Sequence, residues 1–171
     1  MCGANPNLPK AVNQAKCMGI VAFVFSIFSL IGFLISVTGA IGGLITIVAS
    51  SILMCCGPKP RDNNTKLLAC FVMFILGGIL HILGALLCII WYIGLVADAD
   101  EWCNDFCSVD TWYQTAEQCC EDHKAIVIGW SSVLVIPNVV INVIALIFEL
   151  IAAAKCWSGK KEMTKGITPA A

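Results

Sequence analysis

The stretch CMGIVAFVFSIFSLIGFLISVTGAIGGLITIVASSILMCC, Cys17 to Cys56, carries no charged residue from end to end. A helix crosses the hydrocarbon core of a bilayer, about 30 Å, with about 20 residues, so this run holds two spans and a very short connection. Thr38-Gly39-Ala40 is the only turn-like stretch near its middle. Gly19, Ala22, Ser26 and Ser29 recur at alternating steps of three and four, and Gly39, Gly43, Thr46 and Ser50 continue the pattern. In lipid there is little hydrophobic reward for helix contact, and small residues on a heptad stripe let backbones approach closely. The two spans are expected to form a tight antiparallel hairpin.

Outward from this run the punctuation is sparse. GPKPRDNNTK, residues 57–66, reads as a polar loop. Apolar runs follow over 67–96 and 125–154. Each is about 45 Å long as helix, more than a bilayer core requires, so both are expected to tilt or to project. Trp91-Tyr92 and Trp130 lie near the distal ends of these runs, as interfacial aromatics do. The period-2 alternation of a barrel is missing, which leaves helices as the spanning structure. The first span is too long for the 7–15-residue core of a signal peptide and is read as retained. The expected fold is an all-α membrane protein, a four-transmembrane-helix antiparallel bundle. Its parts are an N-tail over 1–16, a hairpin over 17–56, a loop over 57–66 and the third span over 67–96. A Cys-rich loop over 97–124, the fourth span over 125–154 and a C-tail over 155–171 complete it.

Composition agrees. Of 171 residues, 59% are hydrophobic and 12% charged, where a soluble domain has about 25% charged. Mean hydropathy is +0.89. The formal net charge is −1 and no basic run marks a nucleic-acid partner. All of the ten Lys and Arg residues except Lys124 fall in the tails or in the 57–66 loop. The positive-inside rule then puts both termini in the cytosol. The loop between the third and fourth spans collects Asp98, Asp100, Glu101, Asp105, Asp110, Glu117, Glu121 and Asp122 and is expected to face outward.

The eleven cysteines divide accordingly. Cys103, Cys107, Cys119 and Cys120 lie in the outer loop, where an oxidising compartment makes two disulfides the natural reading. Adjacent Cys119 and Cys120 are poorly placed to pair with each other, so each reaches back to Cys103 or Cys107. His123 lies nearby, but the spacing fits no zinc pattern, and no metal or other cofactor is expected. Cys2, Cys17, Cys55, Cys56 and Cys156 lie at or near the cytosolic face and are candidates for S-acylation.

Polar residues inside the last two spans are the remaining signal. Ser131, Asn138, Asn142 and Glu149 share a face at heptad spacing, and Gly77, His81, Gly84 and Cys88 share another. Counted from Lys66, His81 lies about 22 Å deep; counted from Lys155, Asn142 lies about 20 Å deep and Glu149 about 9 Å. His81 is therefore expected to meet Asn142 but not Glu149, which would snorkel or accept a hydrogen bond from another helix. An ionisable residue within a membrane points by default to function. Interhelical hydrogen bonding and a proton or cation pathway are the two readings.

The pattern resembles the tetraspan scaffolds, and tetraspanins most of all, through the Gly19-to-Ser50 stripe, Cys119-Cys120, Cys55-Cys56 and Glu149. It departs from tetraspanins in a much shorter large loop and in Glu121 where that family has glycine. MARVEL-type and CD20-like four-span proteins fit the loop size as well, and Phe148-Glu149-Leu150-Ile151-Ala152 resembles the fourth helix of the latter. The resemblance implies a non-enzymatic organiser that associates laterally with itself or with other integral membrane proteins. A subunit of an oligomeric channel or transporter, with His81, Asn138, Asn142 and Glu149 along its path, is the alternative. No nucleophile–base pair, phosphate-binding glycine loop or HExxH is present, so no enzyme is expected. Membrane lipid is a necessary partner, in the plasma membrane or an endomembrane vesicle.

Overall fold

The chain was analysed as a computed structural model, which describes residues 8–31, 36–56, 60–99, 101, 103, 107 and 116–165. Its regular elements are four helices: α1 (Lys10–Ile31), α2 (Val37–Met54), α3 (Pro60–Ala97) and α4 (Ala116–Thr164). All four are long and apolar enough to cross a bilayer, and the described residues include no strand. The protein is a multi-pass helical membrane protein by this measure. Each helix packs on two others: α1 on α2 and α4, and α3 on α2 and α4.

Local chemistry fixes the ends. Ser36 is extended and its side chain accepts from the Gly39 amide at 3.1 Å, which starts α2 as an N-cap does. Pro60 opens α3; its fixed φ suits a first helical turn and its missing N–H is one the helix would leave unpaired. The polar stretch read as a loop over 57–66 is thus helical from Pro60 onward. Asn63 is buried, and Asn64 Nδ2 donates to Thr164 Oγ1 at 3.4 Å, so packing against α4 holds these poor helix formers in place. The helix α4 likewise continues beyond Ala154 to Thr164 and passes unbroken through Pro137.

The end of α2 has an unusual stop. Lys16 Nζ donates to Met54 O at 3.3 Å and Cys56 O at 2.7 Å, while Lys66 Nζ donates to Cys55 O at 3.4 Å. Two ammonium groups therefore cover carbonyls that the helix cannot pair and oppose its negative dipole end. Beside this end lies the main apolar cluster, with Phe74, Leu53, Leu67, Val12 and Cys156 at its centre. Phe71 and Trp157 pack together on its edge.

The small-residue stripe is consumed within the chain. A Cβ added at Gly43 would stand 2.9 Å from Ser26 O, and one at Gly19 3.1 Å from Leu53 Cδ2. Ser50 Oγ donates to Gly19 O at 2.9 Å. Ala22, Ser26, Ser29, Gly39, Thr46 and Ser50 are all buried. Gly42, outside that stripe, carries the contact to α3, where an added Cβ would meet Gly77 O at 3.0 Å.

The helices differ in length, with 18 residues in α2 against 38 in α3 and 49 in α4. Gly84 of α3 lies against Ser36 and Gly39, at the start of α2. From there α3 continues to Ala97, about 20 Å further. Over this stretch it runs beside α4, where Tyr92 and Ser132 share a 2.7 Å hydrogen bond.

Candidate functional site

The polar residues of the spans meet in one buried chain. Asn142 is its hub. Its Nδ2 donates to Asn138 O and Asn138 Oδ1, both at 2.8 Å. Its Oδ1 faces His81 Nδ1 at 2.6 Å and Ser29 Oγ at 3.2 Å. Two acceptors on one side and two donors on the other leave a single sensible orientation for the amide. The proton on His81 is then fixed at Nδ1, because Oδ1 can only accept. Ser29 Oγ also lies 3.2 Å from Gly39 O, and its one proton serves either neighbour. At the far side of the hub, Cys88 Sγ lies 3.7 Å from Asn138 Oδ1.

His81 does meet Glu149, which corrects the depth argument. Its Nε2 lies 3.2 Å from Glu149 Oε1, an ion-pair distance, although neither is aligned as a hydrogen bond. Lys66 and Lys155, from which the two depths were counted, are not level. Asn64 touches Thr164, so α4 runs nine residues past Lys155 alongside α3. From those contacts His81 is about 25 Å along and Glu149 about 22 Å along, one level. The imidazole bridges Asn142 and Glu149, which stand a heptad apart on one face of α4.

Glu149 also accepts a hydrogen bond from Thr46 of α2, as the expectation of a donor on another helix required. Its second oxygen, Oε2, is buried without a partner. Glycines make room for the carboxyl: an added Cβ at Gly77 would stand 3.2 Å from Oε1, and one at Gly78 3.3 Å from Oε2. His81 and Glu149 are both 0% exposed. The contact lies wholly out of water, where an unpaired charge on either side chain would carry a large desolvation cost.

The chain thus links Ser29 of α1, Thr46 of α2, His81 and Cys88 of α3, and Asn138, Asn142 and Glu149 of α4. Ser131, also buried, lies on the same α4 face. The heptad spacing in α4 gave the hub. Thr46 and Ser29 were legible only as packing residues, and Gly77-Gly78 as a carboxyl cradle had no sequence signal.

At the opposite end from the Lys16–Lys66 cap, two disulfides close the loop between α3 and α4. Cys103 pairs with Cys120 and Cys107 with Cys119, one loop nested inside the other. Cys107, Cys119 and His123 come close together, but both sulfurs are in a disulfide and offer no thiolate. His123 Nδ1 instead lies 3.1 Å from Cys119 O.

The acylation candidates separate by access. Cys55 is exposed and Cys17 partly so. Cys56 and Cys156 are buried within the main cluster, where an acyl group would need the helices to part. Burial pushes the Cys56 thiol above its ordinary pKa, against the opposing pull of Lys16 and Lys66. Cys2 lies outside the described residues.

Comparison of the chain with protein-family models, curated proteins and solved structures returns no match.

Proposed function

We propose that the protein is a non-enzymatic tetraspan organiser, an antiparallel four-helix bundle with cytosolic termini and an outward disulfide-bonded cap. It associates laterally with copies of itself or with other integral membrane proteins. The supporting observation is the exposed apolar surface of α3 and α4 beyond the level of Ser36 at the start of α2. Ile90 (64% exposed), Trp130 (68%) and Val133 (64%) stand out from it. Gly94 and Gly129 have nothing within 4 Å of an added Cβ, unlike the glycines packed inside the bundle. Ala125, Gly129 and Val133 line a shallow groove of about 410 Å³ between Ile126 and Trp130. A glycine in a helix costs about 1 kcal/mol relative to alanine, and close approach of another helix is the usual return in a membrane. The small residues from Gly19 to Ser50 are taken up inside the bundle, between α1 and α2 and against α3 and α4.

Native mass in a mild detergent, with each companion identified, tests this reading. The wild type is expected to run as a complex, and a Trp130→Ala, Ile90→Ala double variant to dissociate while keeping its helicity. A wild-type protein that stays monomeric and alone in mild detergent and in liposomes would refute it.

The unpartnered Glu149 Oε2 favours one second reading, proton or cation passage along the buried chain. Liposome flux that falls with Glu149→Gln and His81→Ala would support it, and absence of wild-type flux would end it.

A further inference from the structure

We infer that the groove between α1 and α2 binds an anionic phospholipid, with an acyl chain between the helices and the phosphate against Lys16 and Lys66. The groove is lined by Ile20, Phe23, Ser50, Ser51 and Met54 and measures about 540 Å³. It has room on the order of 18 groups the size of a water molecule, taken at about 30 Å³ each, and a methylene is of that size. Both serines turn their protons inward: Ser50 Oγ donates to Gly19 O and Ser51 Oγ to Ile47 O. The walls therefore offer no free hydroxyl donor, which suits a hydrocarbon chain.

One end of the groove is charged. Lys16, Ile20 and Phe23 follow at i, i+4 and i+7, so Lys16 continues the α1 wall of the groove. On the other wall Met54 is the residue whose carbonyl Lys16 reaches. An ammonium has three donors. Lys16 gives two to Met54 and Cys56, and Lys66 gives one to Cys55. Two full positive charges face a helix end equivalent to roughly half a negative charge. The excess is positive, and donors remain for phosphate oxygens. Lys10, Lys155, Lys160, Lys161 and Lys165 crowd the same end, where Glu162 is the acid among the described side chains. A zwitterionic lipid would bring its own cation into this field, and an anionic one would not. Each lysine near the surface adds about 1 kcal/mol of attraction for an anionic lipid, or about five-fold in affinity.

The test titrates purified full-length protein in mild detergent with phosphatidylserine, phosphatidylcholine or inorganic phosphate, reading retained lipid by native mass spectrometry and Tm. Wild type is expected to retain one phosphatidylserine in preference to phosphatidylcholine. Lys16→Gln should weaken that retention about five-fold, and Lys16→Arg should restore it. Ser51→Trp, at an exposed position that fills the groove, should abolish retention with both lysines intact, which decides the matter if Lys16→Gln folds poorly. Lys165→Gln, which removes a charge from the same end but no donor to the α2 carbonyls, should weaken retention less than Lys16→Gln does. Equal retention of phosphatidylcholine, survival of binding in Ser51→Trp, or an equal loss in Lys165→Gln would overturn the proposal. A Tm rise with inorganic phosphate matching that with lipid would overturn it too, as an anion site without a chain.

Discussion

Replacing Gly84 by alanine adds one methyl group where α3 meets the start of α2. That methyl would stand 2.7 Å from Ser36 Oγ, 2.8 Å from Gly39 N and 3.0 Å from Gly39 Cα. Ordinary carbon contacts begin near 3.5 Å, so α3 must retreat by roughly half an ångström or more. Two of the three opposing atoms are backbone and cannot rotate away. The third, Ser36 Oγ, is held as the N-cap of α2. Overpacking of this kind costs about 1–3 kcal/mol, and the better helix propensity of alanine returns up to about 1 kcal/mol. A net loss of about 1–2 kcal/mol follows. Gly94 of the same helix is the internal control, since nothing lies within 4 Å of its added Cβ. Gly94→Ala should be neutral or stabilising by up to about 1 kcal/mol. Reversible unfolding from mild detergent into sodium dodecyl sulfate, followed by circular dichroism and tryptophan fluorescence, measures both. If Gly84→Ala is as stable as wild type, or Gly94→Ala is as damaging as Gly84→Ala, the contact between α3 and the start of α2 is misread.

Glu149→Leu strands His81 Nε2 and the Thr46 hydroxyl, whereas Glu149→Gln can still accept from Thr46. The leucine variant should be less stable by about 1–2 kcal/mol in the same unfolding assay, and equal stability would count against the buried chain. Asn142→Leu removes partners of Ser29, His81 and Asn138 at once and should lose at least as much as Glu149→Leu. Non-reducing peptide mapping should recover Cys103 linked to Cys120 and Cys107 linked to Cys119; reduction should loosen the cap while the helical signal stays. Maleimide should label Cys55 in the native protein, but Cys56 and Cys156 only on unfolding. Since burial raises the Cys56 pKa, less thiolate forms at a given pH, and any native labelling of Cys56 should begin at higher pH than that of an ordinary cysteine thiol.

The apolar runs made four spans legible because lipid demands length and leaves little room for disguise. The residues 60–66 misled because polarity marks solvent or a polar neighbour, and here Asn63 is buried and Asn64 has Thr164 of α4 as neighbour. The match of His81 to Glu149 was missed for a related reason. Depth counted from a lysine assumes that each lysine marks the same plane, yet a long flexible side chain can reach several ångströms from its own Cα. Register between helices is set by contacts such as Gly42 on Gly77, and a glycine in the sequence does not announce which neighbour it admits. The disulfide pairing was open among alternatives until the fold brought Cys107 to Cys119. What the heptads did convey was the shared face of Asn138, Asn142 and Glu149, since seven residues return to one side of any helix.

The unequal helix lengths bear on the membrane as an elastic sheet. A flank of 18 helical residues asks for about 27 Å of hydrocarbon, while the apolar runs 67–96 and 125–154 ask for about 45 Å. Where the long helices stand upright, lipid beside α2 thins while lipid beside α3 and α4 thickens, and each ångström of mismatch costs a fraction of a kcal/mol. Two copies that turn their tall flanks toward one another share one thickened annulus instead of maintaining two. For a protein that self-associates as proposed, the bilayer would favour that pairing before any side chains touch, and a thick, sterol-rich membrane would relax the tall flank at the expense of the short one.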